Sequence, residues 1–306
     1  MTKRLMRIFN VMRGKTIHDR HVRTGYLFAL PCVLFSIVTF IWPVGYGVYL
    51  SFHKFSFTGA PVFEGLKAYQ VVLHDTLFWS SMKRTLYLLL LSVPATMILA
   101  LSVSLIFTSL LRGAARSFLR AVYFLPVITS AVAVAFVWAW LYDPQNGLIN
   151  EILGWFGIHG HSWLSDPKLV LPSLGVMVIW SRLGFDMIIL IAGLQSIPEQ
   201  YYEAAKIDGA GPWSRFRHIT LPLLNAQLVL IAIFEVINGL KIFDLPYVAT
   251  AGGPANSSRV AVFHIYDLAF TWNRLDQAVV AAMFLFLLIL VVTMVQWRVL
   301  RRPVEY

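Results

Sequence analysis

Apolar residues along this chain come in long unbroken stretches instead of the short alternations of a soluble core. Six stretches are long enough to cross a hydrocarbon layer, which takes about 20 mostly apolar residues in a helix. The first runs from about Tyr26 to Phe52, and the others over roughly 85–111, 117–142, 169–195, 224–248 and 277–297. In lipid every backbone polar group has to be satisfied inside its own segment, so such stretches are predicted to be helices. Prolines at 31, 43, 94, 126, 172 and 246 fall within or near them and predict kinks. The predicted fold is an all-α polytopic membrane protein with about six transmembrane helices. A basic segment over 1–25 precedes the membrane domain at 26–300, and a short tail follows at 301–306.

Composition narrows the picture. Of 306 residues, 58% are hydrophobic and only 13% charged, against a quarter charged in an ordinary soluble domain. That surplus of apolar surface excludes a water-soluble globule. The net charge of +10 is read as membrane orientation, because no basic stripe suited to nucleic acid lies outside the short loops. With the N-terminus inside, Lys3, Arg4, Arg7, Arg13, Lys15, Arg20, Arg23, Arg112, Arg116, Arg120, Lys206, Arg215, Arg217, Arg298, Arg301 and Arg302 are cytoplasmic, sixteen against seven outside. Both termini are therefore expected in the cytoplasm, although Lys83-Arg84 at an outer boundary runs against the rule. Cys32 is the single cysteine, which leaves no intrachain disulfide. The first stretch is too long for a signal core and lacks a cleavage site, so it is expected to stay as a span.

Polar residues inside the stretches are few and chemically suggestive. Arg182 and Asp186 are spaced i, i+4 and can pair on one helix. Glu235, Asn238, Lys241 and Asp244 follow each other at three-residue intervals, which suggests a Lys241–Asp244 pair and a Glu235–Lys241 link through Asn238. Glu235 and Asn238, near mid-span, are candidates for a solute pathway. Lys241, Asp244 and Tyr247 complete that candidate set, and Trp138, Trp140 and Trp180 offer aromatic faces. His159, His161 and Asp166 on an outer loop are too few for a metal site, and none is assigned. Gly14-Lys15-Thr16 has the end of a P-loop but Phe9 where the motif needs glycine.

The inner loop at 196–223 is locally specified in more detail. Ser196 and Glu199 have capping-box spacing, with Pro198 in the first turn. Good helix formers run to Ile207, Asp208-Gly209 ends the helix, and Gly211-Pro212 permits a second start. Ala204 and Ala205 leave a flat surface that another backbone can approach.

Glu203-Ala204-Ala205, Gly209, Ile219 and Leu221-Pro222 stand at the spacing of the EAA loop. The chain thereby resembles the permease subunits of binding-protein-dependent ABC importers. Phe124-Leu125-Pro126, Gly147-Leu148-Ile149-Asn150, Trp163-Leu164-Ser165-Asp166-Pro167 and Ala192-Gly193-Leu194-Gln195 look like landmarks of the same family. Lys241-Ile242-Phe243-Asp244 and Gly252-Gly253-Pro254 resemble its carbohydrate branch, of the maltose-type first permease. Gly184 departs from a common proline, and Lys83-Arg84 from a neutral residue beside asparagine. The resemblance implies the type I importer permease fold and a coupling helix that docks on an ATPase. In that role Glu203 makes a polar contact, Ala204 and Ala205 allow close packing, Asp208 and Gly209 turn the chain, and Ile219, Leu221 and Pro222 lead back to the membrane. It implies no cofactor on this chain and no catalysis by it, with ATP and Mg handled by partner ATPase subunits. The implied partners are a second homologous permease, an ATPase homodimer and an extracytoplasmic solute-binding protein, in a bacterial or archaeal cell membrane. The implied solute is a sugar or a glycerophosphate-like molecule. Competing readings are an ion-coupled transporter using Glu235 or Asp186, and a membrane enzyme using the outer-loop histidines.

Overall fold

A computed structural model describes residues 17–57, 59–109 and 113–300. Lys3, Arg4, Arg7, Arg13, Lys15, Arg112, Arg301 and Arg302, the Gly14–Thr16 tripeptide and the tail at 301–306 lie outside the described residues. The leading helix comprises α1 (Ile17–Ser36), a π-helical turn at Ile37–Ile41 and α2 (Trp42–Leu50). Pro31 and Pro43 are accommodated within it. Over Thr24–Leu50 this rod is long and apolar enough to span a membrane, yet none of its most apolar window is buried against the rest of the chain.

Three more unbroken helices of spanning length follow: α4 (Thr76–Ser109), α8 (Val170–Ser196) and α15 (Leu275–Leu300). Two predicted spans are broken. Gly113–Ile128 (α5) and Ala131–Leu141 (α6) meet at 103°, and the Pro212–Leu223 segment meets α12 (Asn225–Leu240) at 65°. Four unbroken helices are long and apolar enough to span, and counting each bent pair as one span brings the number to the six predicted, with shifted ends. The second begins nine residues before Leu86's neighbour Thr85, so Lys83 and Arg84 lie within α4 and not at its outer boundary. The fifth ends at Leu240, and Asp244–Thr250 (α13) is a separate helix.

The bundle closes on α4. Its buried face carries Ser81, Thr85, Ser92, Thr96, Ala100 and Ser104. Small side chains let a neighbouring backbone come close in lipid, where burial of apolar area drives nothing. The hydroxyls turn back onto their own helix: Thr85 to the Ser81 carbonyl at 3.0 Å, Ser92 to Leu88 at 2.7 Å and Thr96 to Ser92 at 2.8 Å. Ser104 also donates across to the Met187 carbonyl of α8 at 3.1 Å. Along this seam Leu88, Leu174, Met177 and Leu190 are fully buried. On the other side of α4, Phe78, Leu240, Leu268 and Val280 form a second core with α12 and α15.

The connections between spans at this end of the bundle carry structure of their own. Residues His53–Ser56 (β1) and Gly59–Phe63 (β2) pair as an antiparallel hairpin, His53 opposite Phe63, followed by α3 (Lys67–His74). Between them α7 (Leu148–Trp155) and the loop after it are tied by Asn150. Its amide donates to the His161 carbonyl at 2.9 Å and its oxygen accepts from Trp163 Nε1 at 2.8 Å. The last connection holds α14 (Ala261–Tyr266), whose first amide donates to Thr85 Oγ1 at 2.8 Å.

His264 pins that cap. It is fully buried, its Nε2 lies 3.1 Å from Asp75 Oδ2, and the Phe78 and Trp272 rings pack against it. Arg259, stacked over Phe263 and Trp272, is paired with Asp267 beside it. Burial holds the His264 imidazole below the ordinary histidine range, Asp75 pulling the other way and Arg259 adding to the depression. A depressed histidine stabilises the fold fully above its unfolded pKa of about 6.5, and loses that contribution as pH falls below it. Thermal unfolding in detergent, followed by tryptophan fluorescence, is therefore expected to shift down by a few degrees between about pH 7.5 and pH 5.5. His264→Gln should remove most of that pH dependence, and an equal shift in the variant refutes the assignment.

Candidate functional site

The hairpin at 196–223 is built as its local chemistry predicts, apart from its start. Helix α9 spans Glu199–Ile207. The expected capping box is absent: Ser196 still belongs to α8 and donates to the Gly193 carbonyl at 2.8 Å, and Pro198 takes the cap position in extended backbone. The other end closes as a Schellman motif. Asp208 is the cap, Gly209 has φ +76°, Ala210 N–H donates to the Ala205 carbonyl at 2.8 Å and Gly209 N–H to Lys206 at 3.1 Å. A second arm follows, α10 (Pro212–Arg215), a π turn at Phe216–Thr220 and α11 (Leu221–Leu223). Tyr202 and Thr220 hydroxyls meet at 3.0 Å and clamp the two arms. Glu203, Ala204 and Pro222 are exposed, while Ala205, Ile219 and Leu221 are half-buried. At the hairpin's tip Ile207 is 87% exposed and Trp213 69% exposed.

In the membrane, a cleft of about 410 Å³ opens at the elbow between α5 and α6. The elbow supplies Pro126, Thr129 and Val134. Helix α8 adds Ser181, Arg182 and Phe185, and α12 adds Phe234, Glu235 and Asn238. Phe185 and Phe234 stack at 4.9 Å. Arg182 Nη1 reaches Glu235 at 3.4 Å across the two helices, with Glu235 almost wholly buried. Asn238 donates to the Phe234 carbonyl at 2.9 Å.

This differs from the predicted pairing at three places. Arg182 bonds Glu235, 53 residues away, and not Asp186 one turn along its own helix. Among the described residues Glu235 is paired with Arg182 and forms no ion pair with Lys241. Because α12 stops at Leu240, the three-residue spacing ceases to mean a shared face, and no Lys241–Asp244 ion pair occurs among the described residues. Of the five predicted pathway residues the cleft gathers Glu235 and Asn238. Lys241 and Asp244 are exposed beyond the helix end. Tyr247 stacks on Phe243 at 4.9 Å, outside the cleft lining. Trp138 is buried against Trp180 at 5.8 Å, whereas Trp140 is exposed. Arg182 and the elbow were missed as cleft elements; Pro126, followed three residues on by Thr129-Ser130, was the one local signal for the break.

Residues 84–305 match the family described as the binding-protein-dependent transport system inner membrane component. The chain belongs to this family. It is a permease, a membrane component of a transport system. A probable ABC transporter permease of Pyrococcus horikoshii is 32% identical, over 88% of this chain and 92% of its own length. The trehalose/maltose transport system permease of Thermococcus litoralis is 36% identical, over 81% of this permease and 85% of its own length. Among solved structures, a chain of a bacterial alginate ABC transporter, in complex with an alginate pentasaccharide-bound periplasmic protein, superposes with a TM-score of 0.79. It shares 23% identity over 92% of this permease and 96% of that chain, a likeness of fold.

Proposed function

We propose that this chain is the permease subunit of an ATP-driven importer for a sugar or sugar-like solute, glycerophosphate-like solutes being the alternative cargo of the same machine. One observation carries the reading: the exposed hairpin is the direct covalent connection between the two helices that wall the cleft. Arg182 on α8 stands 14 residues before Ser196, and Glu235 stands 10 residues after the start of α12. At 1.5 Å per residue these are rods of about 20 Å and about 15 Å. A push on the hairpin therefore moves both walls. Its tip presents Ile207 and Trp213, two large and mostly exposed apolar side chains, as a surface to be covered by a partner.

The partner is an ATPase homodimer, which binds ATP and Mg and performs the hydrolysis; this chain makes and breaks no covalent bond. A second, homologous permease completes the pathway, and an extracytoplasmic solute-binding protein delivers the solute to the outer cap. The cytoplasmic excess of Lys and Arg supports both termini inside. Glu203 and the flat Ala204–Ala205 surface are assigned to the ATPase contact. Thr129, Ser181 and Asn238 beside the stacked Phe185 and Phe234 rings suit a hydroxyl-rich solute, which needs hydrogen-bonding groups and an aromatic face. The carbohydrate named in the Thermococcus relative supports that class.

Reconstitution with its partner subunits into liposomes tests the proposal. Uptake of the solute held by the co-purifying binding protein is expected to require ATP and to be abolished by vanadate. Uptake that follows an imposed ion gradient and ignores vanadate overturns it.

A further inference from the structure

Asp186 takes part in none of the hydrogen bonds or ion pairs described so far. It is fully buried on α8, and among the described residues neither of its carboxylate oxygens has a hydrogen-bond partner. An unpartnered carboxyl group inside a membrane bundle is costly, and such a residue is retained for function more often than for stability. Its surroundings say what it awaits. Arg182 lies one turn away on the same helix, and Glu235 reaches that arginine from α12. The guanidinium in turn is held loosely by Glu235, at 3.4 and 3.5 Å, where a tight pair is shorter by about half an ångström. Two carboxyl groups thus flank one arginine, one engaged across the helices and one bare.

We propose that Asp186 is the second acceptor of Arg182, and that the guanidinium exchanges between Glu235 and Asp186 as the cleft changes the side to which it opens. The inference rests on the importer reading and adds to it the positioning residue of the switch. Engaged with Glu235, Arg182 ties α8 to α12 at the depth of the cleft. Engaged with Asp186, it satisfies its own helix and leaves α12 free to move. Whichever carboxyl lacks the guanidinium carries a proton, which passes from Asp186 to Glu235 as the guanidinium passes the other way. The cluster is neutral in both arrangements, so neither state buries a net charge. The two states are then close in energy, and a push from the hairpin suffices to choose between them.

The single cysteine makes the test direct. In a Cys32→Ser background, cysteines at Ile188 on α8 and Leu230 on α12, both exposed, take spin labels in the complete reconstituted complex. Their distance distribution is read without nucleotide and after trapping with ATP and vanadate. Asp186→Asn removes the second acceptor, and the trapped complex is expected to keep the nucleotide-free distribution, with uptake lowered by about tenfold or more. Glu235→Gln removes the first, and the nucleotide-free complex is expected to show the trapped distribution already. Opposite shifts from two isosteric changes separate exchange from mere loss of packing, which moves both variants the same way. Should Asp186→Asn fail to assemble, the Glu235→Gln shift alone decides. A distribution in either variant that responds to nucleotide as the parent does overturns the exchange. A parent that shows neither a nucleotide response nor ATP-dependent uptake overturns the importer reading instead.

Discussion

Gly209→Val should leave the protein in the membrane in normal amount and reduce ATP-dependent uptake by more than tenfold. Gly209 sits at φ +76° with open space around it, so the penalty is conformational and not a clash. A residue with a Cβ costs about 1–2 kcal/mol in left-handed backbone, and a β-branched one is the worst suited. The chain escapes that cost by giving up the Ala210-to-Ala205 and Gly209-to-Lys206 hydrogen bonds, which re-aims α9 relative to the second arm. The consequence is specific: ATPase subunits should fail to co-purify, while thermal unfolding of the membrane bundle barely changes. Gly209→Asn is the control, because asparagine visits left-handed backbone far more readily, and it should retain most of the uptake. Equal uptake by the valine and asparagine variants removes the turn from the mechanism.

The second large effect is expected at Gly184 and is structural. A Cβ there would stand 2.0 Å from the Tyr123 carbonyl oxygen and 2.8 Å from its carbon, both main-chain atoms of α5. A side-chain neighbour could rotate away; a helix backbone cannot without moving the helix. Overpacking of this kind costs about 1–3 kcal/mol, and more where backbone meets backbone. Gly184→Val should push α5 off α8, spread the 103° elbow and open the cleft wall on which Thr129 stands. The measurable outcome is a loss of the assembled complex on size-exclusion chromatography, or a midpoint of thermal unfolding many degrees lower. An unfolding midpoint within about two degrees of the parent shows that the contact is not the constraint it is taken to be.

The spans were readable because lipid imposes one strict demand on any stretch of about 20 residues, and the stretch at 169–195 appears as Val170–Ser196 almost unchanged. The hairpin was readable because its signals are short-range: a glycine after a helix, a proline before one. Where the reading failed, the deciding contact was far away in sequence or a helix stopped without warning. Ser196 could serve either as the cap of α9 or as the last residue of α8, and continuity of α8 decided it. Lys241 and Asp244 shared a face with Glu235 only so long as the helix continued, and it ends after Gly239-Leu240. Arg182 had a carboxylate one turn away and took one from another helix, a choice that depends on how α8 and α12 cross.

The elbow at Thr129–Ser130 has a consequence for the bilayer around it. A helix broken at that depth leaves peptide groups without their internal partners, and irregular backbone in a membrane survives only beside water or protein. The notch lined by Arg182, Glu235 and Asn238 is polar and, at about 410 Å³, roomy enough to admit water. A standing column of water through the hydrocarbon would let ions run down their gradients. A subunit with such a notch is therefore obliged to keep one mouth shut at every moment, and leak-tightness, as much as cargo, constrains how its helices pack.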